Sequence, residues 1–262
     1  AKVSSDSIKI NHTISRNAAN KTMLSFEIDP ESMPEHVDGQ ESHLSQDVVL
    51  VIDHSRSMGE EVVAYDIDGE IMEDGFTIQQ LVNNAAKTVA KTMDKNSRIG
   101  VVIFDGIITI LVNLTFMTEM NCNSVIAQIH NIKPCGQTDI WHAIEAAIKM
   151  LHDREDKTRN GNIMMLTDGV PNISPARGEI ETLKRLRQTL NFTSPIYTFG
   201  FGYRLSRGLL YDMAKYAGGG TGYIPDGGMI ATVFCSFTGT IMTTVAVNLQ
   251  LHITYSDSMR FD

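Results

Sequence analysis

The chain is poor in cysteine and has no long hydrophobic run. Its three cysteines, Cys122, Cys135 and Cys235, lie far apart along 262 residues, which excludes a disulfide framework and the close spacing of a zinc knuckle. We therefore expect reduced, buried thiols. The apolar runs are no longer than a β-strand, so none of them spans a bilayer.

Positive charge is also scarce. The chain has 22 Lys and Arg residues against 31 Asp and Glu residues, a formal net charge of −9. Such a protein is repelled by phosphate groups, so nucleic acid and anionic membrane surfaces are poor partner candidates. The amino terminus lacks the basic-then-apolar order of a signal peptide, and we expect an intracellular protein. Five N-x-S/T sequons leave an extracellular location open: Asn11, Asn20, Asn113, Asn172 and Asn191.

A polar group follows the apolar run at residues 48–52. Such a short run is typical of a strand buried on both faces of a parallel sheet. Asp53, Ser55 and Ser57 therefore stand at the carboxyl end of a core strand, where open α/β sheets bind their ligands. One carboxylate and two hydroxyls provide only oxygen ligands, which suit Mg²⁺ better than Zn²⁺. Taken alone, the five-residue pattern is also compatible with an ordinary turn or a helix cap.

Two later segments place oxygen ligands at comparable positions. Thr138 follows a loop at residues 133–137 that contains Gly136, and it precedes a helical pattern from about residue 140 to 151. A second buried-strand pattern at residues 163–166 ends in Thr167-Asp168-Gly169. Two core strands and one helix-opening loop thus each supply an oxygen ligand.

Together these motifs resemble the von Willebrand factor type A (VWA) family. The metal-ion-dependent adhesion site (MIDAS) of that family combines D-x-S-x-S, a threonine in a Gly-rich loop, and the aspartate of a strand-terminal T-D-G. The resemblance covers roughly residues 46–245 and implies a Rossmann-like α/β domain. It also implies the metal ligands, which would be Asp53, Ser55, Ser57, Thr138 and Asp168.

The resemblance implies a non-catalytic module for protein–protein interaction, such as adhesion. Mg²⁺, or alternatively Mn²⁺ or Ca²⁺, would be held partly by neutral hydroxyls, and an Asp or Glu of a protein partner would complete its coordination. Two positions depart from the common family pattern. Arg56 and Gln137 stand where glycine is frequent; the arginine could pair with a partner carboxylate, cover the site or point to solvent. Asp139 is interpreted as a helix cap or a support for the ligands.

Beyond the first motif, strand and helix patterns alternate. This order predicts a doubly wound, mostly parallel sheet. Strands are predicted near residues 48–52, 99–104, 107–114, 163–167, 195–201 and 222–224, and helices near 78–93, 119–131, 140–151, 178–190, 206–216 and 228–244. Asp105-Gly106 is a hairpin signal, so the strand at 107–114 is expected to be an antiparallel edge.

Three segments lie outside this framework. Residues 58–76 carry seven acidic residues and are predicted to form a solvated hairpin. Alternating apolar residues predict strands near both ends, and residues 1–45 and 246–262 are expected to form a small antiparallel β appendage. We expect this appendage to be incomplete and the chain to belong to a larger multidomain protein.

The segment around Gly200 and Tyr223 resembles intracellular VWA domains found beside Hint-like or ubiquitin-ligase modules. In some VWA relatives the last helix shifts when the loops rearrange around the metal. Because helix 228–244 leads directly into the alternating strand at 245–255, we expect such a shift to reach the terminal appendage.

Two other classes of function compete with the binding module. A phosphoaspartate hydrolase needs a second aspartate at the position of Ser55, and a serine hydrolase needs an elbow such as G-x-S-x-G, which is missing around Ser55 and Ser57. His54 is adjacent to Ser55, so the two side chains are expected to point to opposite sides of an extended strand end. We therefore expect no enzyme. A metal-dependent hydrolase and a structural domain with a vestigial site remain the alternatives.

Overall fold

The computed structural model describes residues 10–16, 22–28, 45–65, 71–202, 205–225 and 227–242, in two units that lie within Ala1–His43 and Leu44–Asp262. In the first unit, β1 (Ile10–Arg16) pairs antiparallel with β2 (Thr22–Ile28). The strand expected near residue 250 lies outside the described residues. The joint terminal appendage therefore stays a prediction.

The second unit is built on a six-stranded sheet. The described strands of this unit are β3 (Gln46–Asp53), β4 (Glu61–Tyr65), β5 (Ile71–Thr77), β6 (Arg98–Phe104), β7 (Ile108–Phe116), β8 (Asn160–Thr167), β9 (Ile196–Phe201) and β10 (Thr221–Ile224). Strands β4 and β5 form a separate two-stranded sheet. The order in the large sheet is β10-β9-β8-β3-β6-β7, and every neighbouring pair is parallel except β6 and β7. The predicted mostly parallel sheet with one antiparallel edge strand is confirmed.

In the described part of the chain, six helices cover both faces of this sheet. They are α1 (Ile78–Thr92), α2 (Glu119–His130), α3 (Ile140–His152), α4 (Glu179–Leu190), α5 (Arg207–Ala217) and α6 (Ile230–Met242). Strand β3 shows how the layers form, because Leu50 and Ile52 pack with α1, α2 and α6, whereas Val49 and Val51 pack with α3, α4 and α5. Side chains on a strand alternate between faces, so an unbroken apolar run fills two cores at once.

The insertion after the first motif forms the expected hairpin. Strands β4 and β5 pair antiparallel, while the predicted turn at residues 66–70 lies outside the described residues. Strand β5 runs directly into α1 at Thr77. The Thr77 hydroxyl accepts a hydrogen bond from the Gln80 amide, and the Gln80 side-chain oxygen accepts one from the Thr77 amide. This capping box explains why the helix begins at Ile78.

A buried charge network closes the end of the sheet where β3 begins. Asp47 is fully buried and accepts hydrogen bonds of 2.7–2.9 Å from the guanidinium groups of Arg98, Arg154 and Arg159. These arginines come from β6, from the segment after α3, and from the residue before β8. One carboxylate thus fixes three connections at the end of the sheet opposite Asp53.

The expectation of buried thiols was wrong. All three cysteines are free; Cys122 is half-buried, and Cys135 and Cys235 are exposed. Cys135 lies in the loop before Thr138, and Cys235 lies on a part of α6 that faces away from the core, so neither position is enclosed by the sheet and helices. Within the described ranges, no helix combines the length and the apolar character needed to cross a membrane.

Candidate metal centre

Asp53 is the last residue of β3 and is held from two sides. One carboxylate oxygen, Oδ1, accepts a hydrogen bond of 2.8 Å from the Ser55 amide, and the other, Oδ2, accepts one of 2.5 Å from the Thr167 hydroxyl. Asp53 and Thr167 are both fully buried. These hydrogen bonds fix the orientation of the carboxylate before any cation binds.

Ser55, Ser57 and Asp168 lie directly beside Asp53. The chain leaves β3 through a short 3₁₀ turn at Arg56–Gly59, and the hydroxyl oxygens of Ser55 and Ser57 lie 3.2 Å apart. Asp168 follows β8, the parallel neighbour of β3, and its carboxylate accepts a hydrogen bond from the Ser57 side chain. The structure therefore brings four of the five predicted ligand side chains into one hydrogen-bonded group.

The two carboxylates are electrostatically unfavourable neighbours. Burial, and secondly the negative charge of Asp168, raise the pKa of Asp53 to about 7, although hydrogen bonds from Thr167 and Ser55 oppose this shift. Burial also raises the pKa of Asp168; the hydrogen bond from Ser57 opposes the rise, and the charge of Glu60 adds to it. Among the residues that the structure describes, neither aspartate forms an ion pair with Lys or Arg. A bound cation would relieve this repulsion, and the all-oxygen donor set fits Mg²⁺ or Ca²⁺.

The loop that carries Thr138 is joined to the first motif through its main chain. The Cys135 amide donates a hydrogen bond of 2.6 Å to the His54 carbonyl, and the Arg56 amide donates one of 3.4 Å to the Gly136 carbonyl. Gly136 has a φ of +67°, a left-handed conformation that glycine adopts without strain. The path of this loop therefore depends on a glycine just before Gln137.

Thr138 is also tied to the loop after Asp168. Its amide donates a hydrogen bond of 2.9 Å to the Asn172 side chain, and its carbonyl accepts hydrogen bonds from the Asn172 and Ile173 amides. Thr138 is almost fully buried, so it lies within the joined segments and not on the outer surface. The main chain of Thr138 thus links its loop to the segment after Asp168, while the ligand role of Thr138 stays a prediction.

Several residues contribute to this arrangement without having been predicted. Thr167 orients Asp53, and it could have been suspected from its place in the strand-terminal T-D-G. Asn172 and Glu60 carry no comparable signal, because their roles depend on how distant loops meet. Asp139 caps α3 as expected, accepting a hydrogen bond of 3.1 Å from the His142 amide, and Arg56 is exposed.

Residues 48–170 match the family model of the von Willebrand factor type A domain. Comparison with curated protein sequences gives no significant match. Among solved structures, a von Willebrand factor type A protein from Catenulispora acidiphila aligns at a TM-score of 0.63 and 16% identity, covering 90% of this chain and 46% of that one. BatB from Bacteroides thetaiotaomicron aligns at a TM-score of 0.59 and 15% identity, covering 76% of this chain and 99% of BatB.

A third similar structure is proximal thread matrix protein 1 of the mussel byssus, determined with a zinc-occupied MIDAS motif. It aligns at a TM-score of 0.57 and 17% identity, covering 76% of this chain and 46% of that one. The chain thus spans about half the length of this protein and of the Catenulispora protein. At such identities the structural likeness shows the fold alone. With the family model, it supports the VWA domain family for this region.

Proposed function

We propose that this VWA-type domain is a non-catalytic module that captures an acidic residue of a protein partner through a divalent cation. The proposed ligands are Asp53, Ser55, Ser57, Thr138 and Asp168. The observation that carries the proposal is the pair of buried aspartates, which lie beside neutral hydroxyls and have no ion pair with Lys or Arg in the described part of the chain.

The cation would supply the positive charge that attracts the partner's carboxylate. The hydroxyls of Ser55, Ser57 and Thr138 would bind it without adding charge, while Asp53 and Asp168 would contribute charge directly or through water. When fewer carboxylates of the protein neutralise the cation, the cation attracts the partner's carboxylate more strongly. This is a physical reason to build the site from hydroxyls and not from carboxylates alone.

The surrounding surface must supply most of the partner affinity. A charge-assisted contact contributes only about 1.5–3 kcal/mol net, which corresponds to weak binding by itself. Val170 and Ile107 are large apolar residues that are 54% and 73% exposed, and they follow Asp168 and Asp105 closely in the loops after β8 and β6. We propose that a partner buries these two side chains while its carboxylate reaches the metal.

Metal identity forms part of the proposal. Oxygen donors favour Mg²⁺, with Mn²⁺ or Ca²⁺ as alternatives, whereas the mussel protein has been observed with zinc in its MIDAS motif. We also propose an intracellular location, which the three widely spaced, free cysteines support, and we propose that the domain belongs to a larger multidomain chain.

The direct test is calorimetric titration of the full chain with Mg²⁺, Mn²⁺ and Zn²⁺, followed by selection of peptide ligands in the presence of the bound metal. We expect Ser55→Ala to weaken Mg²⁺ binding at least tenfold. Ser236→Ala, at an exposed serine of α6, is the matched control and should bind like the wild type. Selected ligands should contain an Asp or Glu whose replacement by Ala, or addition of EDTA, abolishes binding.

Two kinds of result would contradict the proposal. Mg²⁺-dependent turnover of phosphate or ester substrates that Ser55→Ala abolishes would indicate a hydrolase. Failure of Mg²⁺ and Mn²⁺ to bind, or Mg²⁺ binding that Ser55→Ala leaves unchanged, would indicate a structural domain with a vestigial site.

A further inference from the structure

A second group of potential metal ligands lies beside the proposed MIDAS and shares none of its ligands. It consists of His54, Asp105 and Cys135, whose Nδ1 or Nε2, carboxylate and Sγ atoms all lie within 4.8 Å of one another. The Cys135 sulfur is 3.4 Å from His54 Nδ1 and 3.4 Å from Asp105 Oδ2. These residues come from the ends of β3 and β6 and from the loop before Thr138.

The distances fit a tetrahedral zinc site. Zinc bonds of about 2.3 Å to sulfur and about 2.0–2.1 Å to nitrogen, at a tetrahedral angle, place the two donor atoms about 3.6 Å apart. The observed separation of Cys135 Sγ and His54 Nδ1 is 3.4 Å, so little rearrangement is needed. Thiolate, imidazole and carboxylate together are a donor set for zinc, in contrast to the all-oxygen set around Asp53.

The backbone holds these three side chains in place. The His54 amide donates a hydrogen bond of 2.9 Å to the Phe104 carbonyl, and its carbonyl accepts one from the Cys135 amide. The Asp105 carbonyl accepts a hydrogen bond of 3.0 Å from the Asp139 amide. Each ligand segment is therefore bonded to a neighbouring segment through the main chain.

The Asp105 carboxylate is also oriented. Its Oδ1 accepts a hydrogen bond of 2.6 Å from the Ile107 amide, which leaves Oδ2 directed toward Cys135. A Cβ atom at Gly136 would lie 2.1 Å from Asp105 Oδ2, so the carboxylate occupies space that any other residue at position 136 would fill. The glycine thus serves the loop conformation and the approach of the carboxylate at once.

We propose that His54, Asp105 and Cys135 form a second metal site that binds Zn²⁺ or a similar transition metal through three protein ligands. Cys135 is exposed and the other two are partly exposed, so the cation can enter from solvent and the fourth position is open to water or an external ligand. On binding, the Cys135 thiol releases its proton to solvent and His54 binds as neutral imidazole. His54 Nδ1 gives up its 3.3 Å contact with the Lys133 carbonyl.

A metal at this position would fasten the loop before Thr138 to the ends of β3 and β6. The loop is then held by metal–ligand bonds as well as by its main-chain hydrogen bonds. The ligands of this second site and those of the first can be removed independently, which makes the two proposals separable by experiment.

The test is a titration of the full chain, reduced and freed of metal, with Co²⁺ as a spectroscopic substitute for Zn²⁺. Thiolate ligation produces a near-ultraviolet charge-transfer band, and tetrahedral coordination produces intense visible bands. We expect both in the wild type and their displacement by Zn²⁺. Cys135→Ser should abolish the charge-transfer band, and His54→Ala and Asp105→Asn should each weaken Co²⁺ binding at least tenfold.

Two matched variants identify the source of the signal. Cys235→Ser removes another exposed thiol, and Ser55→Ala removes a proposed MIDAS ligand; both should keep the band. Circular dichroism checks that each variant is folded. The proposal is overturned if the wild type gives no charge-transfer band, if folded Cys135→Ser keeps it, or if Cys235→Ser removes it. None of these results depends on whether Mg²⁺ binds at Asp53.

Discussion

The hydroxyl of Thr167 donates a 2.5 Å hydrogen bond to Asp53 across the neighbouring parallel strands β8 and β3. The same oxygen accepts a hydrogen bond of 2.9 Å from the Gly169 amide. Thr167 therefore orients the carboxylate at the end of one strand and the loop that follows the other. It is a positioning residue for the proposed metal centre.

Replacing Thr167 with valine keeps the shape of the side chain and removes its hydroxyl. We expect the free energy of unfolding to fall by about 1–3 kcal/mol, because buried partners lose their hydrogen bond, and we expect Mg²⁺ affinity to fall as well. Thr198→Val is the matched control, since this buried hydroxyl bonds to the Leu210 carbonyl in β9–α5 packing. It should lower stability and leave Mg²⁺ affinity unchanged. An unchanged affinity in Thr167→Val would restrict Thr167 to a structural role.

Asp53 makes the stability of the protein depend on pH when divalent cations are removed. Its pKa is about 7 in the fold, against 3.8 for the ordinary carboxyl, so between these values the folded state binds more protons than the unfolded state. The free energy of unfolding in EDTA should therefore fall as pH rises from about 4 to about 7 and change no further through this group. One pKa unit corresponds to about 1.4 kcal/mol, so the loss amounts to a few kcal/mol.

Denaturant unfolding in EDTA across this pH range measures the effect. Asp53→Asn should flatten the slope, whereas Asp212→Asn, at an exposed aspartate of α5, should keep it. Mg²⁺ binds the ionised carboxylate, so saturating Mg²⁺ should restore stability near neutral pH. Equal slopes in the wild type and Asp53→Asn would contradict this account.

Asp47 should be among the most sensitive positions for stability. Asp47→Asn leaves Arg98, Arg154 and Arg159 close together without their shared carboxylate, and breaking a buried ion pair in this way costs about 3–5 kcal/mol. Glu145→Gln is the control, because the Glu145–Lys149 pair on α3 lies at the surface, with Lys149 exposed and Glu145 partly exposed, and should contribute less than about 1 kcal/mol. Urea unfolding distinguishes the two, and a similar small loss in both variants would show that the network is not important for stability.

Two glycine-to-alanine substitutions should change stability in opposite directions. A Cβ at Gly219 would lie 2.0 Å from the Ile196 carbonyl oxygen, so Gly219→Ala must displace backbone and should cost about 1–3 kcal/mol. A Cβ at Gly239, in the middle of α6, meets nothing within 4 Å, so Gly239→Ala should stabilise the helix by about 0.5–1 kcal/mol. Thermal unfolding of both variants provides the comparison. If Gly219→Ala leaves stability unchanged, the backbone after α5 can shift to accommodate the methyl group at little cost in free energy.

Movement of the last helix with the state of the metal stays a prediction. Any shift of α6 must displace Phe234, which is fully buried and stacks on Phe199 with ring centroids 4.6 Å apart. Phe237 also contacts Phe199 edge-on at 4.9 Å. We expect hydrogen exchange at residues 230–242 to differ between EDTA, Mg²⁺, and Mg²⁺ with an acidic peptide. Identical protection in all three would indicate a rigid scaffold.

Sequence patterns predicted the sheet best where burial alone decides the pattern. The apolar runs of β3 and β8 were recognised because strands buried on both faces need no polar alternation. The predicted end of β7 at residue 114 was too early, because Thr115 and Phe116 pair with Ile99 and Arg98, and the Phe116 ring lies beneath the guanidinium groups of Arg98 and Arg159. Such pairing depends on partners far away in the sequence.

The same limit applies to the site. Asp53, Ser55 and Ser57 were singled out because they form a short local motif. The hydroxyl oxygens of Ser55 and Ser57 lie 3.2 Å apart, and the role of the three residues as metal ligands stays a prediction. His54 was considered only in relation to its neighbour Ser55, yet its Nδ1 atom lies 3.4 Å from the sulfur of Cys135, which is 81 residues later. No local pattern encodes that contact, because it arises where two loops cross above the sheet.

The route of the chain through the sheet has one more consequence. After β3 the chain passes through α1, on one face of the sheet, to β6 on one side of β3. After β8 it passes through α4, on the other face, to β9, which lies on the other side of the β3–β8 pair. The two exits diverge and leave a crevice that the backbone creates whatever side chains line it. Evolution or protein engineering can therefore exchange the groups in this crevice, and with them the metal or the ligand, while the sheet that frames it is retained.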